Sequence, residues 1–104
     1  MTAQEVIKQQ IESERIVLYM KGSPSMPLCG FSARSIQLLQ ACGAEFTTVD
    51  VLADPATRQG IKDYSKWPTI PQLYIDGQFI GGCDIITTMY QSGDLQKLVT
   101  GSQD

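Results

Sequence analysis

The run Ile16-Val17-Leu18-Tyr19-Met20 is continuously apolar and short. Side chains alternate across a strand, so an apolar run without alternation needs cover on both faces. Its length is that of a buried strand rather than a helix. The chain must therefore build layers above and below this strand. The flanking sequence offers them. Thr2 and Glu5 have capping-box spacing, and Ala3, Val6, Ile7, Gln10 and Ile11 follow a helical stripe. Downstream, Ser35, Leu38, Leu39 and Cys42 fall at i, i+3, i+4 and i+7, with Ile36 beside them and Gly43 placed to end the helix. Phe46 to Val51 reads as a second strand. Strand, helix, strand over this span predicts a right-handed βαβ unit with a parallel pair.

The second half changes character. Asp54-Pro55 is an N-cap followed by proline at the first helical position, predicting a helix to about Ser65 with Gly60 as a weak spot. Trp67-Pro68-Thr69-Ile70-Pro71 interrupts any helix. Leu73-Tyr74-Ile75, Asp76-Gly77 and Gln78-Phe79-Ile80 form a hairpin pattern with a type I′ turn signal. Gly81-Gly82 permits a tight bend. Ile85, Ile86, Met89 and Tyr90 then predict one apolar face of another helix. Ser92-Gly93-Asp94 breaks and restarts it, Leu95, Leu98 and Val99 close the fold, and Thr100 to Asp104 reads as a frayed polar tail. The expectation is an α/β domain over residues 1–104: a four-stranded mixed sheet flanked by helices.

Composition narrows the chemistry. At 104 residues, 42% hydrophobic and 18% charged, the chain suits one soluble domain without disulfide staples. A net charge of −3 without a basic run argues against nucleic acid or an anionic membrane as partner. No apolar run approaches membrane-spanning length, and the polar start Met1-Thr2-Ala3-Gln4-Glu5 lacks a signal-peptide pattern. The expected compartment is the reducing cytoplasm. The chain has no histidine, which removes His-based zinc sites, Cys-His proteases and Ser-His-Asp hydrolases together. Thiols, carboxylates, lysine, arginine and backbone dipoles remain.

The chemistry concentrates in Lys21-Gly22-Ser23-Pro24-Ser25-Met26-Pro27-Leu28-Cys29-Gly30-Phe31-Ser32, between the first strand and the second helix. Backbone N–H groups and the dipole at a helix start favour an anion, so Cys29 there is pushed towards thiolate, the nucleophilic and metal-binding form. A buried, inert structural cysteine is the other reading. Cys42, on an apolar stripe, reads as a small core hydrophobe. A redox dithiol normally has Cys-x-x-Cys, and Ser32 holds the fourth place here. Cys29 must work with an external thiol, with Cys83, or with a metal.

Cys29-Gly30-Phe31-Ser32 resembles the CGFS signature of monothiol glutaredoxins. Lys21, Trp67-Pro68-Thr69-Ile70-Pro71-Gln72 and Gly81-Gly82-Cys83-Asp84 extend the resemblance, in order and spacing, from about Val6 to about Val99. It is nearest the bacterial single-domain members and implies a thioredoxin-like fold, with glutathione as the external thiol. On that reading Lys21 and Arg58 pair with the glycine carboxylate. A cis Ile70–Pro71 bond leaves the Ile70 backbone to pair with the tripeptide. Gly82, Cys83 and Asp84 hold the γ-glutamyl carboxylate and ammonium. Without the family, Lys21 and Arg58 are equally two solvated cations and Asp84 is a plain N-cap. Trp67 and Phe31 read as core or loop packing.

The resemblance also implies a 2Fe–2S cluster. Four thiolates are the usual ligand set, and one such chain does not supply them. Two copies, each giving Cys29 and one glutathione, do. Lys21 and Cys29 stand eight positions apart (29 − 21). By resemblance, the dithiol branch has a shorter link. The expectation is a cluster carrier, homodimeric when loaded, that transfers its cluster to apo iron–sulfur client proteins and pairs with a BolA-like protein. A glutathione-dependent thiol–disulfide oxidoreductase acting on mixed disulfides through Cys29 is the enzymatic rival. A redox-regulated interaction module is the third reading.

Overall fold

A computed structural model describes residues 1–101. The order is α1 (Ala3–Ser13), β1 (Ile16–Met20), β2 (Gly22–Ser23), β3 (Met26–Pro27), α2 (Gly30–Ala41), β4 (Thr47–Asp50), α3 (Pro55–Ser65), β5 (Gln72–Ile75), β6 (Gln78–Gly81), α4 (Cys83–Ser92) and α5 (Asp94–Thr100). One sheet runs β4-β1-β5-β6, with β1 parallel to β4 and antiparallel to β5. β1 is thus central, and every residue of it is buried.

Alternation along β1 divides the core in two. Ile16, Leu18 and Met20 face a cluster with Ile36 and Leu39 of α2, Ile86 of α4, and Leu95 and Val99 of α5. Val17 and Tyr19 face the opposite way, against Ile7 and Ile11 of α1, Ile61 of α3, Ile70 and Tyr74. The three-layer arrangement follows from the apolar run that demanded it.

Local signals behave as their chemistry requires. The Thr2–Glu5 capping box is formed in both directions. Asp54 accepts from the Ala56 N–H at the head of α3. Asp76 and Gly77 both have positive φ (53° and 79°), as a type I′ turn needs. Cys42 is buried at the end of α2, and burial pushes its thiol pKa up. Cys42→Ala should cost about 1–3 kcal/mol in denaturant unfolding, within the usual range for core truncation. Cys42 should alkylate only after unfolding.

Four expectations need correction. Gly60 is no weak spot. It lies buried where α3 crosses α1, and an added Cβ would stand 2.9 Å from Ile7 Cδ1 and 3.3 Å from Ala3 Cβ. Its carbonyl accepts from Gln4 Nε2 at 2.8 Å. The glycine lets two helices approach, which offsets its poor helix propensity. On α4, only Ile86 is fully buried and Met89 packs beside the core, whereas Ile85 and Tyr90 are exposed. Positions one step to either side of an i, i+3 pair turn about 100° away from the core. Leu98 is exposed as well: Leu95 and Val99, at i and i+4, take the buried face, and Leu98 turns about 100° away from Val99. The stretch expected to fray begins inside a helix: Thr100 belongs to α5 and Gly101 caps it, while Ser102 to Asp104 lie outside the described residues.

Candidate thiol and ligand site

The segment between Lys21 and Cys29 is not a plain loop. β2 and β3 pair antiparallel, with Gly22 opposite Pro27 and Ser23 opposite Met26. The Leu28 N–H donates to the Lys21 carbonyl at 2.9 Å. Two side chains latch this small hairpin to the body. Asp50 Oδ1, at the end of β4, accepts from the Gly22 N–H at 3.0 Å and from the Leu52 N–H at 2.9 Å. Ser32 Oγ, fully buried in the first turn of α2, accepts from the Lys21 N–H at 3.1 Å. Strands of two residues leave no periodicity to read, which is why the sequence showed only a loop.

The hairpin delivers Cys29 to the N-cap of α2, partly exposed and outside any disulfide. Its pKa is held below the ordinary thiol value. The largest cause is the Ser32 backbone N–H, which favours the anionic sulfur. Partial burial opposes it, and the Phe31 N–H, the Lys21 charge and the Ser32 hydroxyl add to the lowering. The Ser32 hydroxyl thus accepts from the Lys21 N–H and also favours the Cys29 thiolate. Ser32 is a working member of the site and not merely an absent resolving cysteine. Alkylation of Cys29 should follow a pH profile with its midpoint below that of a free thiol. The thiolate stays populated as pH falls, until the lowered pKa is passed. A midpoint at or above the free-thiol value would contradict the activation.

Cys29 opens onto a groove of about 440 Å³, within the size range of small-molecule sites. Lys21, Cys29, Ile70, Cys83 and Asp84 all line it. The Ile70–Pro71 bond is cis. Cys83 and Asp84 are the first residues of α4, whose N-cap Gly82 supplies no side-chain cap. The opening N–H groups of that helix are therefore available to an anion. Gly82 is buried close under the wall: an added Cβ would stand 3.3 Å from the Pro71 carbonyl oxygen and 3.5 Å from Trp67 Nε1.

Two sequence expectations change here, and one candidate is joined by another. Arg58 is exposed on α3, and Lys62, one turn later, lines the groove. The i, i+4 spacing places Lys62 on the same helical face and nearer Trp67, a signal that was present in the sequence. Phe31 and Trp67 are not core packing: they are 63% and 38% exposed, and both border the groove. Ile85, expected in the core, packs over Gly81 and forms part of the rim.

A four-stranded mixed sheet between two helical layers, with a lone activated thiol at a helix start beside a cis-proline loop, defines a thioredoxin-like protein of the single-thiol kind. A glutaredoxin family model matches residues 16–80, and the chain belongs to the glutaredoxin family as a CGFS-type monothiol member. It is 52% identical over 98 residues to Glutaredoxin 4 of Escherichia coli (strain K12), covering 94% of this chain and 85% of that protein. It is 54% identical over 83 residues to the probable monothiol glutaredoxin GrlA of Legionella pneumophila, covering 80% of this chain and 93% of that one. The solution structure of a monomeric truncated mutant of Trypanosoma brucei 1-C-Grx1 is similar at a TM-score of 0.86 and 46% identity, over 97% of this chain and 91% of that chain.

Proposed function

We propose that the groove binds glutathione and that two glutathione-loaded copies carry a 2Fe–2S cluster as cargo for apo iron–sulfur proteins. The observation that carries this reading is an activated Cys29 heading a groove whose fourth motif position is a buried, engaged serine. Such a thiol lacks a resolving partner within its motif and suits a ligand role or an external thiol. The groove complements glutathione group by group. Lys21 and Lys62 match carboxylate charge, the α4 N-terminus matches the γ-glutamyl carboxylate, and Asp84 matches the ammonium.

Ligand arithmetic supports pairing. Of three cysteines, Cys42 is in the core, leaving Cys29 and Cys83 at the groove. That is fewer than the four thiolates a cluster usually takes, and the chain has no histidine. A second copy with its own glutathione completes the set, and a BolA-like partner is the heterodimeric counterpart. Among the described residues no helix is long and apolar enough to cross a membrane, and the reducing cytoplasm is the compartment proposed.

The lowered Cys29 pKa also favours a second reading. The Cys29 thiolate would attack the glutathione sulfur of a mixed disulfide, releasing the client thiolate and forming Cys29–glutathione disulfide. A second glutathione thiolate would then release oxidised glutathione and regenerate Cys29.

Anaerobic reconstitution with iron, sulfide and glutathione, followed by absorption spectra and metal analysis, separates the two. Cluster absorbance that requires glutathione supports the carrier. Its absence, with turnover of a glutathione mixed disulfide, supports the oxidoreductase. Lys21→Ala and Lys62→Ala should each raise the glutathione needed for half occupancy by about tenfold or more, since a charge-assisted contact contributes about 1.5–3 kcal/mol. Arg58→Ala, at the other cation on the same helix, should also weaken glutathione binding. Wild-type glutathione dependence in all three would place the carboxylate elsewhere.

A further inference from the structure

Gln72 is a polar side chain with no exposure at all, in the first position of β5 and opposite Tyr19 of the central strand. A buried amide without partners would be costly, and this one is fully employed. Its Nε2 donates to the Trp67 carbonyl at 3.1 Å and to the Thr69 carbonyl at 3.2 Å, and its Oε1 accepts from the Tyr74 hydroxyl at 3.3 Å. Both carbonyls belong to residues that wall the groove. The loop from Trp67 to Pro71 lies between α3 and β5. Without the amide, two of its carbonyls would face the interior unpaired.

We infer that Gln72 is a positioning residue: its buried amide pins the Trp67–Thr69 wall and so sets the groove width that the bound tripeptide meets. It touches neither the thiol nor the ligand, and it acts through two main-chain carbonyls. The inference deepens the glutathione reading and rests on it for the affinity effect. The pinning itself is tested without glutathione.

Trp67 is the sole tryptophan, so its fluorescence reports on the wall alone. In Gln72→Met, which keeps length and removes the donors, acrylamide quenching of Trp67 should rise about twofold or more. The apparent affinity for glutathione should fall about tenfold, the effect of losing one to two buried hydrogen bonds. Cys29 should keep its alkylation pH profile, because the hairpin and α2 are untouched. A residue that merely stabilised the sheet would lower the melting temperature and leave Trp67 quenching unchanged, and that result overturns the inference. If Gln72→Met does not fold, amide exchange in the wild-type protein decides. The Gln72 side-chain protons should exchange at least about tenfold more slowly than those of exposed Gln9 and Gln37. Equal exchange overturns the pinning. Absence of glutathione binding to the wild type, with altered Trp67 quenching in the variant, would reject the glutathione reading and keep the role of Gln72.

Discussion

Cys29→Ser should reduce iron and sulfide content after reconstitution to background and abolish formation of a glutathione mixed disulfide, while the fold survives. The serine hydroxyl is close in size and can occupy the same N-cap, a position serine favours. It does not ionise in the working pH range, so the anion that the Ser32 and Phe31 N–H groups and Lys21 stabilise is gone. Stability should change by less than about 1 kcal/mol, as for substitutions away from the core. Far-UV circular dichroism checks the fold, and colorimetric iron and sulfide assays check the cargo. Full cluster content in the variant would remove Cys29 from the ligand set, leaving Cys83 as the other groove thiol.

Gly22→Ala should be nearly as damaging, although the residue carries no chemistry. Its φ is +89°, a conformation costing an L-residue about 1–2 kcal/mol. The added Cβ would also run into the Met26 carbonyl oxygen and come within 2.9 Å of the Leu28 nitrogen, both backbone atoms with little room to yield. Relief requires opening the β2–β3 hairpin or releasing the Gly22 N–H from Asp50. Either change moves the link between Lys21 and Cys29. The expected result is a Cys29 alkylation midpoint shifted up towards the free-thiol value, with weaker glutathione binding. The control is Gly30→Ala: Gly30 has no positive φ, and its Cβ would meet nothing within 4 Å. A Gly22→Ala protein with the wild-type alkylation profile would show that the hairpin does not place the sulfur.

Much of the site is legible in the sequence. Cys29 at a strand-to-helix junction, Lys21 behind it, the cis-proline loop and the Cys83–Asp84 helix start come from short-range patterns and a family signature. The structure gathers all of them around one groove. Lys62 joins Arg58 as a candidate because spacing along a helix fixes the face but not which turn reaches a neighbouring loop. Of core or loop packing, the core alternative fails for Phe31 and Trp67, because an apolar side chain beside a groove has the same sequence signature as one in a core. Gly60 was misread because a glycine at a helix crossing differs from a mid-helix defect only through the helix it meets.

The sequence alone determined the elements other than the β2–β3 hairpin, together with the caps, the type I′ turn, the two-faced burial of β1 and the residue type at the reactive position. Each depends on periodicities of two or 3.6 residues or on backbone preferences within a few positions. Tertiary structure alone decided that Asp50 holds Gly22 from 28 residues away and that Ser32 takes the Lys21 N–H. It also decided that α4 starts beneath Trp67. Those contacts join segments whose approach is set by packing on the two faces of one sheet, and no local pattern encodes that distance.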